Sequence, residues 1–223
     1  MNAKWGLVTF EQAMRSTGRE SIDAYGEHVN PVEAHLLRFI GVDRRYTRAE
    51  GMYLHDDQGG SCLDFTAGYG ALVLGHNPPE VLDAVRQAQA LPSVLLVGVN
   101  QLMGALGANL AKLLPGDLSV VSFGSGGAEA VEFALKTARA ATGRAGLVGC
   151  ERSYHGQSFG AISVCGGARH QDAAGPLLPC CETVPFGDLG ALERALRRED
   201  AAASPSRRRA PGSAPAARGS GST

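Results

Sequence analysis

Lysine is scarce in this sequence: Lys4, Lys112 and Lys136 are the only three among 223 residues. A Walker-type phosphate loop closes on Gly-Lys-Ser/Thr. With no lysine between Lys112 and Lys136, the glycine-rich stretch lying there cannot be one. The five cysteines (Cys62, Cys150, Cys165, Cys180 and Cys181) form an odd set with no C-x-x-C spacing. That argues against a disulfide framework and against a zinc site, and a reducing cytoplasm is expected. No run of about 18 apolar residues exists to span a membrane. Residues 1–15 lack the basic-then-apolar layout of a secretion signal. The net charge of −1 is too small for a nucleic-acid partner selected by bulk electrostatics. What is present is 44% hydrophobic content, enough for a real core. The length suits one sizeable α/β domain or part of a larger one.

The most telling stretch is Val120-Val121-Ser122-Phe123-Gly124-Ser125-Gly126-Gly127-Ala128-Glu129-Ala130-Val131-Glu132. It reads as a buried strand, a glycine-rich turn and the start of a helix running to about Thr142. Small residues at 124–127 let the backbone approach something bulky. The unpaired N–H groups and dipole of the helix start favour an anion, most naturally a phosphate. A tight strand-to-helix connection without ligand explains the glycines equally well. The dinucleotide pattern G-x-G-x-x-G begins at Gly124 and Gly126 but meets Glu129 where its third glycine belongs, which leaves NAD a weak alternative.

Elsewhere, Trp5 and Phe10 are candidate anchors in a mixed, polar arm. Asn30-Pro31 starts a helix over 32–40, stopped by Gly41. Two short strands within 51–65 flank Asp57-Gln58-Gly59-Gly60 as a hairpin. Asn77-Pro78-Pro79-Glu80 reads as a helix start, with Asn77 capping, Pro78 first in the helix and Glu80 closing a capping box. A further helix spans about 100–114. Along the helix after the glycine turn, Val131, Ala134, Leu135 and Ala138 face inward, with Glu132 and Lys136 paired outside. Residues 145–150 form another strand, a polar loop follows, and a helix begins near Ser158. Asp188 caps the last helix. Strands alternating with helices predict an α/β fold with a mainly parallel sheet. Ligands of such sheets sit off the carboxyl ends of the strands. The 124–127 turn and the Tyr154-His155 loop are both expected there, which favours the ligand reading.

Gly156-Gln157-Ser158-Phe159-Gly160 matches the nucleophile-elbow pattern, but 151–157 is too polar for the strand that pattern needs. The only later histidine is His170, with no acid between, so a serine hydrolase is rejected. His28, His35, His55 and His76 read as turn, surface or core residues.

Three motifs in series resemble the class III aminotransferases, the ornithine, acetylornithine and putrescine group. They are Gly51-Met52-Tyr53-Leu54 through Gly75-His76-Asn77-Pro78, then Ser125-Gly126-Gly127-Ala128-Glu129-Ala130-Val131-Glu132, then Tyr154-His155-Gly156. The likeness covers roughly 30–198. It implies fold type I, pyridoxal 5'-phosphate as cofactor, a homodimer, and a small-molecule amino donor with a 2-oxo acid as substrates. By the same resemblance the Gly127 and Ala128 N–H groups hold the phosphate, beside Ser125 and Gly126. Tyr154 stacks on the pyridine ring with His155 next to it, and Tyr69 lines the substrate pocket. The family's Asn-Ser is replaced here by Ser125-Gly126. None of the three lysines matches the Schiff-base lysine, so no catalytic residue is assigned. The resulting division is 1–50 as arm and short helix, 51–200 as a partial cofactor-binding large domain, and 201–223 as a disordered tail. That tail is all Ala, Ser, Arg, Pro, Gly and Thr. Such a break, where the likeness ends, is what an out-of-frame extension of a shortened aminotransferase would give. A truncated chain, inactive by itself, is the expectation, with a non-catalytic remnant that binds cofactor or a partner as the alternative, ahead of an NAD-type oxidoreductase.

Overall fold

The computed structural model describes residues 6–92, 97–167, 171–172 and 174–203. The chain divides into two compact units, Met1–Val99 and Asn100–Thr223.

In the first unit, Thr9 and Thr17 each open a helix with a capping box, the hydroxyl accepting an N–H and Gln12 or Glu20 returning the bond. These helices are α1 (Phe10–Arg15) and α2 (Gly18–His28). Phe10 is exposed, and Trp5 lies outside the described residues. α3 (Pro31–Phe39) starts as expected, Asn30 accepting the Glu33 N–H at 3.0 Å and Pro31 occupying the first turn. It packs on α2, where the Tyr25 hydroxyl donates to Glu33 at 2.7 Å. β1 (Tyr46–Glu50), β2 (Tyr53–Asp56) and β3 (Ser61–Leu63) form an antiparallel sheet in that order. β2 and β3 are the expected hairpin. β1 is an addition, and its Tyr-Thr-Arg-Ala-Glu run has little of the apolar alternation that marks a strand. The division expected at residue 50 therefore falls between two strands of one sheet.

The one-turn α4 (Ala67–Gly70) is irregular, with Gly68 and Tyr69 at φ 57° and 56°. Ahead of α5 (Pro79–Ala88), Asn77 does not act as the cap. Its φ is 50° and its side-chain amide donates to the Ala49 carbonyl at 2.8 Å, tying it back to β1. Pro78 takes the cap position instead, Pro79 enters the first turn, and no side chain closes a capping box.

The second unit opens with α6 (Gln101–Leu113), whose first N–H groups are accepted by Asn100. The buried strand expected over 120–123 is extended chain without a ladder, and Val120 is 91% exposed. An extended run becomes a strand only when a neighbour takes its N–H and C=O groups, and none pairs with it among the described residues. α7 (Gly127–Thr142) runs as predicted and stops at Gly143, which is left-handed at φ 66°. β4 (Gly146–Cys150) is the middle of a parallel sheet, flanked by β5 (Cys181–Val184) and β6 (Ala201–Ala203). Between the strands run α8 (Phe159–Ser163) and α9 (Leu189–Arg197), the latter capped by Asp188 through the Ala191 N–H at 2.8 Å. Leu147, Ala161, Val164, Val184 and Ala195 make the core of this unit. β6 corrects the expected start of the tail. Alanine is small enough to sit buried at a sheet edge, so Ala201 through Ala203 add a strand to β4 where disorder was expected. The remaining tail, 204–223, lies outside the described residues.

Candidate functional site

β4 ends at Cys150, and the chain leaves the carboxyl end of the sheet as the 151–158 loop. Its base is pinned on both sides. The Ser153 hydroxyl donates to the Cys150 carbonyl at 2.6 Å, and the Arg152 N–H donates to the Gly166 carbonyl at 2.7 Å. The Gly166 N–H returns to the Ser153 carbonyl at 3.1 Å, and the His155 N–H points at the buried Cys165 Sγ, 3.2 Å away. The backbone beneath Tyr154 and His155 is thus fixed, while the Tyr154 side chain is 65% exposed.

Gly156 carries this loop onto the start of α7. Its φ is 126°, and a Cβ there would stand 2.6 Å from the Ala128 Cβ. Only glycine permits that approach. The loop of Tyr154 and His155 and the helix start at Gly127 and Ala128, the third and second of the motifs, are therefore brought together within one unit.

At the start of α7, Gly126 is extended and no side chain caps the helix. A Cβ on Gly126 or Gly127 would meet nothing within 4 Å, so the space before the helix is open. The first N–H groups and the positive dipole end of a 16-residue helix face that space. Ser125 differs, because its N–H already donates to the Glu129 carboxylate at 2.6 Å. Its hydroxyl is what remains for a ligand. A dianion before Gly127 and a flat ring beside Tyr154 fit this arrangement, and pyridoxal phosphate has both parts.

Glu132 is a correction. It was expected on the outer face, paired with Lys136. Instead it is half-buried, and its Oε1 accepts the Gly160 N–H at 2.7 Å and the Ala161 N–H at 3.3 Å. Ala134, expected inward, is exposed. The Ser158 hydroxyl beside Glu132, followed by the Gly160 and Ala161 N–H groups, holds its carboxyl below the usual carboxylate range. Ser158 Oγ is buried there and finds no well-aligned partner. The helical stripe could have located Glu132, since it lies i+4 from Ala128 and i−3 from Leu135 on the inward side.

Tyr69 belongs to the first unit, where its side chain is fully exposed. Its loop is gathered at both ends by Asp64 and His76, whose Oδ2 and Nε2 are 2.9 Å apart. An open cavity of about 1090 Å³ also lies in this unit, lined by Arg19, Arg38, Arg44, Asp23 and Asp56 among others. Its cations are matched by carboxylates, Arg44 to Asp56 at 3.1 Å and Arg38 to Asp23, which leaves little charge to select an anion.

Together, the parallel sheet, the uncapped glycine-rich helix start and the aromatic loop seated on it define an α/β domain with room for a phosphorylated aromatic ligand. Comparison with known proteins agrees. The family described as aminotransferase class-III matches residues 41–206. This chain belongs to that family. It is 38% identical over 174 residues to an acetylornithine aminotransferase of Bacillus cereus, covering 76% of this chain and 44% of that protein. An uncharacterised aminotransferase of Archaeoglobus fulgidus is 35% identical over 197 residues, covering 85% of this chain and 46% of the other. Among solved structures, the ornithine aminotransferase of Toxoplasma gondii superposes with a TM-score of 0.73 at 28% identity, over 87% of this chain and 48% of that one. The taurine:2-oxoglutarate aminotransferase of Bifidobacterium kashiwanohense, solved with PLP and glutamate, gives a TM-score of 0.65 at 26% identity, over 77% and 38%. The chain spans less than half the length of each. These neighbours are fold type I enzymes, and the family binds pyridoxal phosphate.

Proposed function

We propose that this chain supplies the cofactor grip of an enzyme that moves an amino group from an amino acid or diamine to a 2-oxo acid. The observation that carries this reading is the seat of Gly156 on Ala128, which sets an aromatic loop beside an uncapped helix start. The Gly127 and Ala128 N–H groups hold the phosphate, helped by the helix dipole and the Ser125 hydroxyl, while Gly126 keeps the approach clear. Tyr154 offers its face to the ring. His155 stands next to it on a backbone fixed by Cys165, and the family resemblance gives Tyr69 the role of a substrate-pocket residue. When bound, the cofactor supplies an electron-withdrawing ring that stabilises negative charge at the carbon bearing the amino group.

None of Lys4, Lys112 and Lys136 matches the family's catalytic lysine. Lys136 lies on the order of 13 Å along the α7 axis from Gly127. The 223 residues alone therefore bind the cofactor without completing the transfer. The reading carries a homodimer, supported by exposed Leu102, Met103, Leu106 and Leu113 along α6. A cytoplasmic setting is supported by five free cysteines. No membrane enters the reading, since among the described residues no helix is long and apolar enough to cross one. Nucleic acid does not enter either, on a net charge of −1.

Titration with pyridoxal phosphate and with pyridoxal, followed by borohydride reduction and peptide mapping, tests both parts. The phosphate form is expected to bind at least about ten-fold more tightly, a difference of about 1.4 kcal/mol. Reduction is expected to leave no stoichiometric pyridoxyl group on Lys112 or Lys136. Equal affinities would sink the phosphate grip, and a stoichiometric adduct with amine-dependent turnover would sink the claim of binding without transfer.

A further inference from the structure

α7 carries an acid that its own helix does not use. Side chains of a helix lean towards its N-terminus, so Glu132, one turn after Ala128, leans towards the end where the phosphate grip lies. There its carboxylate takes the Gly160 and Ala161 N–H groups, the first donors of α8, which Ser158 leaves without a side-chain cap. A Cβ at Gly160 would overlap the carboxylate oxygens, so the glycine is what admits the contact. α8 begins directly after the 151–158 loop. At its other end, Cys165 and Gly166 hold the His155 and Arg152 N–H groups. The short helix and the aromatic loop therefore form one piece, attached to α7 by Glu132 and by the Gly156 contact on Ala128.

We propose that Glu132 is a positioning residue coupling the two halves of the grip, with α7 setting the height of the Tyr154–His155 loop through the α8 N-terminus. The inference rests on reading the site as a pyridoxal-phosphate grip. Its physical sense is twofold. An ionised acceptor makes stronger hydrogen bonds than a neutral one, and the carboxyl is held in its charged form by the groups around it. Spending that charge on the positive end of α8 also offsets its repulsion of a phosphate before Gly127. The coupling makes the site selective for ligands that present a phosphate and a flat ring at one fixed separation.

The test uses the whole chain with the variants Glu132→Ala, Glu132→Gln and Gly160→Ala. Two things are measured: amide exchange across 153–163, and affinity for pyridoxal phosphate against inorganic phosphate as a probe of the helix start alone. In Glu132→Ala and Gly160→Ala, exchange at Gly160, Ala161 and 154–156 is expected to rise about ten-fold, while β4 is unchanged. Pyridoxal phosphate is expected to bind about ten-fold more weakly, as the loss of a charged hydrogen bond allows, and inorganic phosphate less than about two-fold. Glu132→Gln keeps an acceptor oxygen without the charge and is expected to restore part of both. Unchanged exchange at 154–156 in the two disrupting variants overturns the coupling. So does an equal loss of both ligands, which would mean a general loss of structure. Should Glu132→Ala fail to fold, Gly160→Ala and Glu132→Gln give the same contrast. If the unaltered chain binds no pyridoxal phosphate, the cofactor reading fails, and the exchange data still decide the coupling.

Discussion

Asp64 shows how much one side chain can organise. Its Oδ1 accepts the Thr66 N–H, the Thr66 hydroxyl and the Ala67 N–H, and its Oδ2 meets His76 Nε2. The Thr66 hydroxyl, then His76 and the Ala67 N–H, depress its carboxyl to about 2. A depressed carboxylate contributes stability that is complete above its unfolded value and is lost as pH falls through the folded one. From an unfolded value near about 4, the window runs down to about pH 2. In urea melts across that range, the stability gap between the native chain and Asp64→Asn is expected to narrow as pH falls. A constant gap would mean the carboxylate's ionisation contributes nothing. Gly156 is the second position where one atom matters. Gly156→Ala would force a Cβ against Ala128 at a φ that side chains disfavour. The expected cost is about 1–3 kcal/mol in denaturant unfolding, together with weaker pyridoxal-phosphate binding.

At the scale of elements, several helices were legible from the side chains at their ends, although the Thr9 and Thr17 capping boxes that open α1 and α2 were missed. Asn30-Pro31, Asn100 and Asp188 all cap as their chemistry predicts. Asn77 did not, because a strand carbonyl at Ala49 competes for its amide and no local rule weighs that partner. The 120–123 run and β1 failed in opposite directions for one reason. Strand identity depends on a neighbour, so Val120-Val121 finds no partner among the described residues despite its apolar character and Tyr46–Glu50 pairs despite its polarity. Glu132 was misplaced on the outer face beside Lys136, when its carboxylate turns to the Gly160 and Ala161 N–H groups of α8. For α6, the loss of the cap in Asn100→Ala is expected to cost about 1 kcal/mol. The cost should register as faster amide exchange at Leu102 and Met103, whose N–H groups Asn100 accepts. No change there would mean that the cap is idle.

For the whole molecule, the α/β class and the parallel sheet followed from the alternation of elements, and the meeting of turn and aromatic loop followed from where such sheets bind. The three motifs carried the family, which the match over 41–206 bears out. That match crosses residue 200, where the composition changes, and β6 lies beyond it. Composition alone could not place the boundary, because a run of alanines is permissive and takes the structure its neighbour offers. The arrangement of β4 also bears on how the chain is made. This central strand ends at Cys150, and both its partners come later, β5 from Cys181 and β6 from Ala201. At about 5–20 residues per second, the nascent chain waits roughly two to ten seconds between β4 and its flanks. For that interval both edges of β4, Leu147 included, are bare, so the ribosome delivers the middle of this sheet well before the strands that flank it.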